Sequence, residues 1–121
     1  MGDAPLVVDS ITEAVGCGQG RIVVSGSHGG LSAARFAQQA RVRLAVFNDA
    51  GVGRDGAGIA GLALLQAAGI AACTVSHDSA RIGEARSTLD DGVISHANAA
   101  AEALGARTGL RLRDWLAVRP G

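Results

Sequence analysis

The chain has 121 residues, with 11 arginines, no lysine and no tyrosine against 11 acidic residues. One domain over 1–121 is expected, large enough to bury a core without staples. Without lysine there is no Schiff-base or pyridoxal linkage and no complete P-loop. With zero net charge, and only Phe36, Phe47 and Trp115 as aromatics, there is no surface for a nucleic-acid backbone or for base stacking.

In chain order, Leu6–Asp9 reads as a first strand, and Ser10-Ile11-Thr12-Glu13 as a capping box that opens a short helix. The glycine-rich loop 16–20 leads into a second strand, Arg21–Ser25. Ala33, Phe36, Ala37 and Ala40 predict a helix over 31–41, and Arg43–Asp49 reads as a third strand. Ile59, Leu62 and Ala63 form a stripe on a helix over 57–68, closed by Gly69 before a fourth strand, Ile70–Ser76. Residues 57–76 carry no charge, but Gln66 and Gly69 divide them, so helix, turn and buried strand are expected rather than a membrane span. Ile82, Ala85 and Leu89 predict a helix over 79–89, weakened by Gly83. Val93, Ala97, Ala101 and Leu104 predict another over 92–104, ended by Gly105. The tail, 106–121, reads as a closing strand or a short helix around Trp115, with Pro120-Gly121 frayed.

The strands are continuous apolar runs, such as Ile22-Val23-Val24, which suits burial on both faces of a parallel sheet. Alternation with helices predicts a three-layer α/β domain of Rossmann or flavodoxin type: a mostly parallel sheet of four to five strands with helices on both faces. Cys17 and Cys73 form no CxxC and no metal spacing. Free thiols in a reducing compartment are expected, and Met1–Pro5 lacks the basic region and apolar run of a signal peptide, so the expected location is the cytoplasm. Cys73 reads as core and Cys17 as an exposed thiol.

Each predicted strand ends in polar residues: Asp9-Ser10, Ser25–Gly30, Asn48–Gly51 and Ser76–Ser79. In a parallel sheet these ends share one rim, where α/β proteins bind ligands. Two of the three histidines fall there. Gly26-Ser27-His28-Gly29-Gly30 has the shape of a strand-to-helix turn that exposes a nucleophile, with His28 at its apex and glycines giving backbone access. His28 is then an acid–base group, a phosphoryl acceptor or a ligand contact. Ser27, Gly29 and Gly30 are binding candidates beside the helix N-terminus at Leu31-Ser32. The plain alternative is a tight turn with a solvated histidine.

Gly51-Val52-Gly53-Arg54-Asp55-Gly56 matches GxGxxG, and Asp78 follows Gly56 by 22 residues. That is the dinucleotide layout, but the chain lacks a second half for NAD or FAD. A loop whose Gly51 and Gly53 amides cradle a phosphate on the helix dipole is favoured. His77-Asp78-Ser79 with Arg81 is the densest cluster. Asp49 and His77 can pair across adjacent strands, as an acid orients a catalytic imidazole. Asp78 or Ser79 can cap the next helix, Arg81 can clamp a carboxylate or phosphate, and Asn48 can orient Asp49 or close the turn. His28, Asp49, His77 and Asp78 suit a divalent metal by ligand type, yet no compact metal motif joins them, so no cofactor is assigned. His96, beside an apolar stripe, reads as packing.

The strings GSHGG (26–30), FNDAG (47–51) and TVSHDSARIG (74–83), in this order, resemble those of a group of small bacterial proteins that carry no established activity. The resemblance covers about residues 22–105. It implies a compact cytoplasmic α/β protein and assigns no role to His28, Asp49 or His77.

Taken together, the residues predict a small enzyme acting on a small anionic molecule at the rim, by hydrolysis, isomerisation or group transfer. His28, Asp49, His77 and Asp78 are the catalytic candidates. Ser27, Gly29, Gly30, Asn48, Gly51, Gly53, Ser79 and Arg81 are the binding candidates. The alternatives are a regulatory module that senses a metabolite or nucleotide without turnover, and an assembly subunit, a homo-oligomer packed through the small residues of the 57–68 helix.

Overall fold

Val23, Val24, Leu44, Ala45, Val46 and Phe47 are all inaccessible to solvent, as apolar runs in the middle of a sheet must be. They belong to β2 (Ile22–His28) and β3 (Leu44–Asn48). In the computed structural model, which describes residues 4–118, these strands lie between β1 (Leu6–Val8) and β4 (Ala71–Val75), all four parallel. A fifth strand, β5 (Ile94–Ala97), adds antiparallel to β4, with Val75 opposite Ile94 and Cys73 opposite Ala97. The expected fraying of Pro120-Gly121 lies outside the described residues.

Helices cover both faces, so the chain has the three-layer α/β architecture that the alternation predicts. On one face α1 (Leu31–Ala40), α2 (Ala60–Ala67) and a 3₁₀ turn at Ile11–Ala14 pack over Val23, Ala45, Phe47 and Ala72. On the other, α3 (Ala85–Asp91), α4 (Ala99–Ala103) and α5 (Leu112–Val118) pack over Val24, Val46, Cys73 and Val75. The strand order is β1-β2-β3-β4-β5. Right-handed crossovers between successive neighbours all fall on one side, which is why the first three connections share a face. The order has no reversal of the kind that opens a crevice in doubly wound sheets.

The chain changes face once, after β4. Residues 76–84 cross the carboxyl edge of the sheet, held by Asn48 Nδ2 donating to Ala80 O (3.0 Å) and Gly83 N donating to Gly26 O (2.7 Å). The helix expected over 79–89 therefore starts only at Ala85, whose amide donates to Asp9 Oδ1 at 3.0 Å. Gly26 makes room for the crossing: a Cβ there would meet the backbone of Gly83 and Glu84. Gly26→Ala is expected to cost about 2 kcal/mol through overpacking. A lowered urea midpoint, with faster amide exchange at Gly83 and Ala85, is the measurement.

The helix expected over 92–104 is split. Ile94–Ala97 pairs with β4, and only Ala99–Ala103 is helical, N-capped by Asn98. The expected helical stripe from Val93 to Leu104 gives way to a strand that buries Ile94. The tail does two jobs. Residues 109–111 flank β5 through Gly109 N to Ile94 O and Ile94 N to Leu110 O, both 2.8 Å. Then α5 buries Leu112 and Trp115, with Trp115 Nε1 donating to Leu104 O at 3.2 Å. The capping box forms as read, Ser10 and Glu13 serving the 3₁₀ turn.

Candidate active site

Asn48 and Asp49, at the end of β3, are both buried. Asn48 is a clamp. Its Nδ2 holds the crossing segment, and its Oδ1 accepts from Ala50 N at 2.7 Å, closing the turn. Asp49 turns its carboxylate toward the end of β4. Oδ1 accepts from Gly51 N (2.8 Å) and His77 N (3.1 Å), and His77 Nδ1 lies 3.5 Å from it. Burial opposes ionisation of Asp49, but the Ser95 hydroxyl, the amides of Gly51 and His77 and the adjacent His77 ring outweigh it. The carboxyl is held below its ordinary value of 3.8.

His77 is half-exposed, with its Nε2 3.2 Å from Asp78 Oδ1, while Asp78 itself stands in solvent. The ring lies over Gly51, where a Cβ would sit 3.5 Å from it. The loop beneath is unusual. Ala50, Gly51, Val52 and Gly53 are consecutively left-handed, with φ of 52, 75, 68 and 73°. For Val52, β-branched, that conformation is strained. Gly58 locks the loop down, since a Cβ there would strike Asp49 O.

This geometry revises the GxGxxG reading. Asp49 already takes the amides of Gly51 and Val52, the latter through its carbonyl at 2.7 Å. After Gly53 the chain makes a 3₁₀ turn at Arg54–Gly56, and α2 begins only at Ala60. Gly51–Gly56 therefore does not open onto a helix N-terminus, and the phosphate-cradle and dinucleotide layouts are not formed.

His28 ends β2 rather than sitting at a turn apex, and it registers with Asn48. Its ring lies against Gly30, where a Cβ would come 2.7 Å from Cε1. It faces a cavity of about 180 Å³, lined also by Ser10, Thr12, Ser27, Ser32 and Phe36. Ser27 Oγ accepts from Ile11 N at 2.9 Å. The amides of Leu31, Ser32 and Ala33 open α1 without intrahelical partners. Gly29 and Gly30 serve packing as well: Gly61 N donates to Gly29 O (2.8 Å), and a Cβ at Gly61 would press on Gly30 O. His28 makes no ion pair or hydrogen bond with Asp49 or His77 among the described residues. The expected union of His28, Asp49 and His77 is not formed; the rim carries two clusters.

Two other candidates have partners of their own. Ser79 donates to Ser76 O (2.8 Å) and accepts from Val93 N (2.9 Å), joining the ends of β4 and β5. Arg81 is exposed in the crossing segment with its guanidinium 3.9 Å from Glu84. The sequence reading missed Ser95, because a helix was expected there. Its hydroxyl shares a hydrogen bond with Thr74 Oγ1 (2.9 Å), lies 3.3 Å from His96 Nδ1 and supports Asp49. His96 thus joins a hydroxyl chain behind Asp49. Among the described residues no three His, Cys, Asp or Glu side chains converge as metal ligands. Both cysteines are free: Cys17 is exposed, and burial pushes the Cys73 thiol up to about 12. No helix is long and apolar enough to cross a membrane among the described residues.

Compared with protein-family models, curated proteins and solved structures, the chain shows no significant match to any.

Proposed function

We propose that the protein is a small-molecule enzyme that uses His77 as its proton carrier. The observation that supports this is the buried carboxylate of Asp49, held ionised against the half-exposed His77 ring. An ionised acid at Nδ1 keeps the proton there and leaves the Nε2 lone pair to act as base. Asp78, exposed to solvent, is free to leave Nε2 when substrate arrives. The anionic end of the substrate is assigned to the cavity beside His28, where the first amides of α1 and the hydroxyls of Ser27 and Ser32 converge. Two free thiols suit a cytoplasmic setting.

The test is turnover of a panel of phosphorylated and carboxylated metabolites, followed by NMR. His77→Ala is expected to lower kcat by about 100-fold or more. His28→Ala is expected to raise KM with kcat nearly unchanged, because it removes binding common to ground and transition states. Turnover indifferent to His77→Ala rejects the proposal. The separation of His28 from the Asp49–His77 pair favours one second reading, a sensing module. Binding that depends on His28, with no turnover of any panel compound, selects it.

A further inference from the structure

The strand ends at the two edges of the sheet carry different charges. The carboxyl rim and the segment crossing it carry Asp9, Asp49, Asp55, Asp78 and Glu84 against Arg54 and Arg81. The amino edge carries Arg21 and Arg43, which directly precede β2 and β3, and Arg41, which caps the far end of α1, with Arg35 midway along that helix. Backbone bonds draw this edge together: Gly20 N donates to Arg41 O, and Arg43 N to Arg21 O, both 2.9 Å.

Between α1 and the start of β4 this edge holds a groove of about 710 Å³. Arg35, Gln38, Gln39 and Arg41 stand around it, and Val42 and Ile70 line it with apolar surface. No carboxylate among the described residues lines it. Arg81, Arg86 and Arg113 each have an acidic partner; Arg35 and Arg41, like Arg21, Arg43, Arg54, Arg107 and Arg111, have none among the described residues. Arg41 is notable for its backbone. It caps α1 in the left-handed conformation, φ 56°, a position that glycine fills at least cost.

We propose that this groove binds an organic phosphate of nucleotide size. Guanidinium forks match phosphate oxygens, and two unpaired ones at one groove suit a dianion. The volume lies in the range of small-molecule sites and far exceeds a bare phosphate, so the ligand has a body. Ile70 offers that body an apolar contact, and the two carboxamides offer donors and acceptors to the edge of a flat ring. The site is independent of the rim and of the chemistry assigned to His77.

The experiment is an amide and arginine-side-chain NMR titration of the full chain with adenosine 5′-monophosphate, orthophosphate and adenosine. The monophosphate is expected to shift residues 35–42 and Ile70 saturably, binding about tenfold tighter than either fragment. Arg41→Gly is the decisive variant, because it removes the guanidinium while easing the backbone. It is expected to weaken the monophosphate about tenfold and to raise Tm slightly. Arg35→Gln is expected to weaken it without changing Tm. Shifts confined to the carboxyl rim, binding unaffected by Arg41→Gly, or no saturable binding of the monophosphate overturns the proposal. So does a single-stranded oligonucleotide that binds as tightly as the mononucleotide.

Discussion

Asn98→Ala is expected to cost about 4 kcal/mol, a large part of the total stability of a domain this size. Asn98 is buried and uses both ends of its carboxamide. Oδ1 accepts from Ala72 N (3.0 Å) and from Ala101 N (2.9 Å), where it caps α4. Nδ2 donates to Ile70 O (2.9 Å) and Leu62 O (3.2 Å). One side chain therefore ties β4, α2 and α4 together. Alanine strands two amides and two carbonyls away from water, at roughly 1–3 kcal/mol for each uncompensated group, with partial relaxation. Asn98→Asp is a sharper test. It keeps the acceptor but turns a carboxylate toward two carbonyls, so it is expected to destabilise at least as much as alanine at neutral pH. Equilibrium urea unfolding measures both. An aspartate variant as stable as the parent would falsify the donor role of Nδ2.

Asp49→Ala is expected to cost about 3 kcal/mol at pH 7 and to change how the protein responds to acid. The carboxylate accepts from Gly51 N and His77 N, and alanine leaves both amides without it. The sign of the pH effect follows from the lowered pKa. A folded value below the unfolded one contributes stability that is complete above pH 3.8 and is lost as pH falls through the folded value. Acid should therefore narrow the gap between wild type and Asp49→Ala. Asp49→Asn preserves the shape and the acceptor oxygen, so it is expected to cost only about 1 kcal/mol, the difference between charged and neutral acceptors. Its unfolding free energy should lack the acid-dependent contribution of this group. Parallel acid titrations of stability for the three chains decide the matter. Identical acid limbs for wild type and Asp49→Asn would show that this carboxyl does not carry the linkage.

These expectations rest on residues that differ in how visible they are along the chain. Four strands and two helices are legible because each is defined by neighbours in sequence: a continuous apolar run, a 3.6-residue stripe, a capping box. Their alternation is enough to predict a parallel sheet covered on both faces. The pairing of Asp49 with His77 is legible for a related reason. Asp49 directly follows β3 and His77 stands two residues past β4, and parallel neighbours bring their ends together.

Asn98 and Ser95 show where that legibility stops. Val93–Leu104 carries helical spacing, and its neighbours in sequence favour a helix; contact with β4, about twenty positions earlier, makes part of it a strand. The same non-local choice brings Ser95 to Asp49. The separation of His28 from His77 is likewise invisible along the chain, since it depends on a loop seated by Gly29, Gly58 and Gly61. Gly26, Gly58 and Gly61 are plain glycines in sequence and tight backbone contacts in space. Composition and periodicity were sufficient for the class of fold and for one edge of interest, because local propensity and burial act over a few residues. The strand order, the single change of face, the two clusters on the rim and the arginine groove opposite them arise from packing between distant segments, where sterics and hydrogen-bond satisfaction override local preference.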